Sequence, residues 1–143
     1  MSDPRQLPVT TDQSRSRPLT LLERPVIEQR AQIAHCVSSN LSPVHAALFA
    51  EPNLLRGTIR WYTSVPGTVT RLVDSDPSWR VAAEAHFKVL VDAISGLAGQ
   101  LRSSNRPADQ AMGELLDLAL HGPRLEDVFW CGDQPVMVNW GIE

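Results

Sequence analysis

One stretch limits the possible folds of this chain more than any other. Ala83, Phe87, Leu90, Ile94, Leu97 and Leu101 recur at alternating intervals of four and three residues. Side chains spaced in this way share one face of an α-helix, so the run predicts about five turns carrying a continuous apolar stripe. Asp76-Pro77 supplies the start, a capping carboxylate followed by a proline whose missing N–H costs nothing in the first turn. Ser103, Ser104 and Asn105 supply the stop. Such a stripe has to be covered, and the cover must come from the rest of the chain.

Further helices are expected on both sides of it. Val26 to Leu41 reads as a helix with Arg30 interrupting its apolar face. Ser42-Pro43 restarts a short one, which Glu51-Pro52 ends. Pro107 opens the last, with Ala108, Met112, Leu115, Leu116 and Ala119 inward and Gly122-Pro123 as its stop. Gly96 and Gly99 in the long helix are read as points of close approach to a neighbour.

Elsewhere the period changes to two. Thr58 to Thr63 and Thr68 to Val73 are β-branched or aromatic, and Val65-Pro66-Gly67 between them is turn chemistry. They read as one hairpin. Asp127 to Cys131, a Gly132-Asp133 turn and Gln134 to Trp140 read as a second, with Val136, Val138 and Trp140 facing inward. Pro135 cannot donate to a ladder and points to an edge. A lone hairpin is marginal in water. The expectation is therefore an α+β domain over residues 21–143, with an antiparallel sheet of about four strands from two hairpins packed against the long helix and additional helices. Residues 1–20, rich in Pro, Ser and charge, are expected to be a flexible leader.

Composition narrows the function. With a net charge of -3, the chain lacks the cationic surplus of a general nucleic-acid binder, so no nucleic acid is expected as a partner. Met1 to Thr20 is too polar for a signal peptide, and no run approaches the ~20 apolar residues of a membrane span. Two distant cysteines, Cys36 and Cys131, suit a reducing compartment. A cytoplasmic location is expected.

Chemistry is sparse. His35, His45, His86 and His121 show no paired metal spacing, and the glycines form no phosphate-binding or nucleophile-elbow motif. Cys131 lacks a basic neighbour in sequence to activate it and reads as a packing residue. Asp76 reads as a cap, while Asp74, Glu84 and Asp92 read as solvated. No catalytic residue, cofactor or metal is assigned. The tryptophans say more. Trp61 and Trp140 read as core, and Trp130 stands undecided because Phe129 competes for the inner face. Trp79 falls in the first turn of the long helix.

Three stretches carry a resemblance: Ala46-Ala47-Leu48-Phe49-Ala50-Glu51-Pro52, Gly57-Thr58-Ile59-Arg60-Trp61-Tyr62 and Gln134-Pro135-Val136-Met137-Val138-Asn139-Trp140-Gly141. Together they resemble the N-terminal cytoplasmic region of uncharacterised proteobacterial SrfA-like proteins, linked to SrfB and SrfC virulence-type operons. The likeness spans about Leu41 to Gly141 and transfers no site. It implies a membrane segment after the Trp-Gly pair, so membrane attachment is expected only if the natural protein continues past Glu143.

The function expected from this reading is a non-enzymatic protein-interaction or regulatory module of a bacterial multi-protein system, with a partner from the same operon. Its surface is expected on the last hairpin, at Trp130, Cys131, Asp133, Gln134, Met137 and Asn139, or beside Gly96 and Gly99. One alternative is a small enzyme or ligand-binding domain whose site gathers Cys131, His86, Asp133 and Asn139. Another is a structural domain that self-assembles into a homo-oligomer through the hairpin edge.

Overall fold

Residues 4–143 are described by a computed structural model; Met1 to Asp3, part of the expected leader, lie outside the described residues. The element order is β1 (Arg5–Asp12), β2 (Thr20–Leu21), β3 (Arg24–Pro25), α1 (Arg30–Asn40), α2 (Pro43–Ala47), β4 (Glu51–Leu55), β5 (Thr58–Thr63), β6 (Val69–Arg71), α3 (Pro77–Arg102), α4 (Pro107–Ala119), β7 (Val128–Cys131) and β8 (Gln134–Met137). The class is α+β, with antiparallel sheets packed against a long helix and other helices.

The helices form where their caps and stripes place them. Ser42 accepts from the His45 N–H and Asp76 from the Ser78 N–H, each followed by proline at the first helical position. On α3 the stripe faces inward: Ala83, Leu90, Ile94 and Leu97 are buried, and Phe87 and Leu101 are partly so. Gly96 and Gly99 meet open space, so the close approach lies elsewhere. It falls at Gly113 of α4, where a Cβ would stand 2.7 Å from the Ala98 carbonyl oxygen. Only a residue without a side chain lets α4 come so near to α3.

Strand pairing differs from the two expected hairpins. The strands form a β1-β5-β4 sheet, a β6-β7-β8 sheet and a β2-β3 ribbon among the described residues. Thr58–Thr63 pairs with Glu51–Leu55 across a two-residue Arg56-Gly57 turn, both residues with positive φ. That is the type I′ geometry that matches strand twist, and it outcompetes a link through Val65-Pro66-Gly67. Val69–Arg71 instead pairs with β7. The last hairpin forms about the expected Gly132-Asp133 turn, with Gly132 at φ 60° in its first central position, but its second strand ends at Met137 rather than Trp140.

The expected leader contributes a strand. Leu7 and Thr11 of β1 are buried and Val9 partly so, an alternation that presents one face to the core. Pro8 is accommodated because the ladder slips between Gln6 and Thr10, opposite Trp61, where no donor is needed.

One core joins all layers. Leu7, Ile59 and Trp61 from the first sheet meet Phe129, Val136 and Trp140, together with Ile33, Val37, Ile94 and Leu116 from the helices. Trp140 sits edge-on to Phe49, centroids 5.2 Å apart, and 6.1 Å from Trp61. Phe49, Trp61 and Trp140, from three distant stretches of the chain, thus form one aromatic cluster. Trp61 donates its indole N–H to Thr11 Oγ1 at 2.8 Å, and Trp140 donates to the Ala50 carbonyl at 2.9 Å. The Thr11 hydroxyl donates onward to Asn139 Oδ1, and Asn139 Nδ2 donates to Asp127 Oδ1 at 2.8 Å. A chain of four side chains so ties β1 and β5 to the last segment.

Candidate functional site

The six residues expected to form a surface on the last hairpin are scattered. Cys131 is fully buried, and burial pushes its thiol up to about 11, with Arg5 acting slightly against that. Met137, expected outward, is also buried. Its N–H donates to the Leu48 carbonyl and its own carbonyl accepts from Ala50, so the outer edge of β8 is taken at that point by the chain after α2. An edge that already has a partner offers nothing to a second one. Asn139 is held by Thr11 and Asp127. Gln134 borders a different recess, with Thr63 and Val65, and Asp133 stands exposed at the turn. Only Trp130 has both exposure and aromatic surroundings.

Those surroundings come from three elements. On β7, Phe129 and Cys131 point to one side and are buried, which leaves Trp130 on the other. Thr70 of β6 lies directly across from it. The first turn of α3, started by the Asp76 cap, brings Trp79 edge-on to Trp130 with ring centroids 5.1 Å apart at 84°. His86, two turns further along the same helix, packs edge-on against Trp130 at 5.5 Å. Thr68, Thr70, Asp74, Ser75, Asp76 and Gly132 complete the walls, around about 460 Å³. Trp79 remains 41% exposed.

The four tryptophans divide cleanly by their N–H groups. The indoles of Trp61 and Trp140 are hydrogen-bonded inside the core. Those of Trp79 and Trp130 have no acceptor among the described residues, and the Trp130 N–H is not buried. Buried indole N–H groups are normally paired, so the second pair has been left for solvent or for a ligand.

The electrostatics of the recess are one-signed. Asp74 makes no ion pair among the described residues. Asp76 accepts from the Ser78 hydroxyl at 2.6 Å and from its N–H at 2.9 Å, which holds its carboxyl below the usual range and keeps it ionised at neutral pH. The nearest arginines are committed elsewhere. Arg71 donates to the Glu126 carbonyl and lies over Phe129, on the other side of the sheet, and Arg80 donates to the Val73 carbonyl.

Other possible sites are self-satisfied or dispersed. A larger recess of about 580 Å³ beside β4 contains Arg30 and Glu51, but these pair at 3.2 Å, and Arg30 also donates to the Phe49 carbonyl. The alternative constellation is not assembled: His86 lies against Trp130 on the side of β7 opposite Cys131, while Asn139 is bound to Thr11 and Asp127. Among the described residues no three His, Cys, Asp or Glu side chains are placed to hold a metal ion, and no helix is long and apolar enough to cross a membrane.

Sequence reasoning missed the pairing of Trp79 with Trp130. No local spacing signals it, because the helix start and the strand meet only in the fold. Asp74 and Asp76 were legible individually, as a solvated acid and a cap, but not as two walls of one recess. Comparison with protein-family models, curated proteins and solved structures finds no match for the chain.

Proposed function

We propose that this chain is a non-enzymatic protein-interaction module, and that it docks its partner at the recess where Trp79 meets Trp130. The observation that carries the reading is the division of the tryptophans: two have their N–H groups satisfied in the core, and two line an open recess with theirs unpaired. Tryptophan combines a large apolar face with a polar edge, which is why it is enriched among the residues that dominate binding energy at interfaces. The dispersal of Cys131, His86, Asp133 and Asn139 adds support for a binding role over a catalytic one.

The resemblance to SrfA-like proteins supports a partner encoded in the same bacterial operon. Free thiols at Cys36 and Cys131 favour a reducing compartment, the cytoplasm. The test is affinity capture of the tagged chain from its native cells, in parallel with Trp130→Ala and with Val81→Ala, a change on exposed α3 surface outside the recess. The expected result is a partner recovered with the wild type and with Val81→Ala but lost with Trp130→Ala. A monomer in light scattering that recovers no partner, or a partner indifferent to Trp130, overturns the reading.

A further inference from the structure

The sign and shape of the recess specify more than a generic docking surface. Two indole rings at 84° form a corner, and a cation placed in such a corner meets the electron-rich face of an aromatic ring. The charged groups on its walls are Asp74 and Asp76, with no Lys or Arg among the lining residues, and the one imidazole nearby, His86, packs edge-on against Trp130. The positive end of the α3 dipole also points here and by itself would repel a cation. Asp76 caps that end and offsets it, which leaves Asp74, free of any ion pair among the described residues, to set the sign. Thr68 and Thr70 add hydroxyl groups able to accept from an ammonium or guanidinium N–H.

The acidic pair alone would be no more than a solvated helix start. The independent observation is the pair of partly exposed tryptophans, carried by β7 and α3, whose rings meet edge-on and whose indole N–H groups have no acceptor among the described residues. We propose that the recess is a cation-binding pocket, which takes an arginine or lysine side chain of the partner in the open corner formed by Trp79 and Trp130, with Asp74 as its counter-charge. This rests on the docking reading above and names the chemistry of its occupant.

Nitrogen-15-labelled wild-type chain reports the four indole N–H groups separately, so the test carries its own control. It is titrated with N-acetyl-arginine amide, N-acetyl-lysine amide, the neutral near-isostere N-acetyl-citrulline amide and N-acetyl-leucine amide. The expected result is saturable movement of the Trp79 and Trp130 signals with the arginine or lysine probe, with Trp61 and Trp140 unmoved. Citrulline and leucine probes should bind at least about threefold more weakly, the scale of a cation–π contact at an exposed site. Asp74→Asn, an exposed change that keeps the rings in place, should weaken the cationic probes by about two- to fivefold and leave the neutral ones unchanged. Equal binding of arginine and citrulline, no saturable movement, or cationic binding indifferent to Asp74→Asn overturns the proposal. If the partner is still lost with Trp130→Ala in that event, docking stands and only this account of its occupant fails. If the partner ignores Trp130, the docking reading itself has failed.

Discussion

Cys131 shows how completely its environment decides the behaviour of a side chain. Its thiol lies in β7 against the core, and removal from water raises its pKa from the usual 9.0 to about 11. In the unfolded chain the thiol ionises near its ordinary value, so folding is unaffected by it below pH 9. Above that the unfolded state gains a charge the folded state resists, and stability is lost progressively until pH passes the folded pKa, by an amount of order 1–3 kcal/mol. Urea denaturation between pH 8 and 11 should show this loss, and Cys131→Ala should reduce its slope. A thiol reagent at pH 8 should leave Cys131 unmodified until the chain unfolds. The Thr11 hydroxyl is a second decisive group, because it is the acceptor for the Trp61 indole. Thr11→Val keeps the shape but leaves a buried N–H unpaired, at a cost of about 1–3 kcal/mol in a denaturant titration. Only Cys131 was legible beforehand. Cys131 reads as packing from its strand alternation with Phe129, whereas nothing near Thr11 announces Trp61, since a hydrogen bond across so many residues has no local signature.

Among the elements, those with local signals are the ones that sequence reading recovers. Asp76-Pro77 and Ser42-Pro43 start α3 and α2 where expected because the cap and the proline act within one turn. The last hairpin forms because Gly132 supplies the positive φ that its turn requires. The errors fall where a local pattern is ambiguous. Pro8 masks the inward alternation of Leu7, Val9 and Thr11, and Arg56-Gly57 is a less typical type I′ turn than Asn-Gly. The choice among Gly96, Gly99 and Gly113 also cannot be made from spacing, because it depends on which face of α3 receives α4. It can now be made by substitution. Gly96→Ala and Gly99→Ala place a methyl in open space and should stabilise the helix by about 0.5–1 kcal/mol each. Gly113→Ala gains the same propensity but drives a methyl into the Ala98 carbonyl, so it should destabilise by about 1–3 kcal/mol. Thermal melts of the three variants separate the two cases by sign.

At the scale of the whole molecule, the contacts that hold the parts together are long in sequence. Trp140 reaches back 90 residues to Ala50, and Asn139 reaches back 128 to Thr11. The Glu143 N–H donates to the Arg17 carbonyl, and the Leu19 N–H donates to the Gly141 carbonyl. A core completed by the final hairpin cannot be stable without it. The fragment 1–127 is expected to show little cooperative unfolding by circular dichroism, where the full chain gives a sigmoidal transition. The recess would go with it, since β7 supplies Trp130.

This wiring also bears on the order of synthesis. A ribosome adds residues at about 5–20 per second, so Phe49 and Trp61 emerge on the order of ten seconds before the Trp140 ring that covers them. During that interval the nascent chain displays its most apolar side chains with no partner yet made. That is the interval in which holding chaperones would be most needed, and in which a stalled or truncated copy would be most open to degradation.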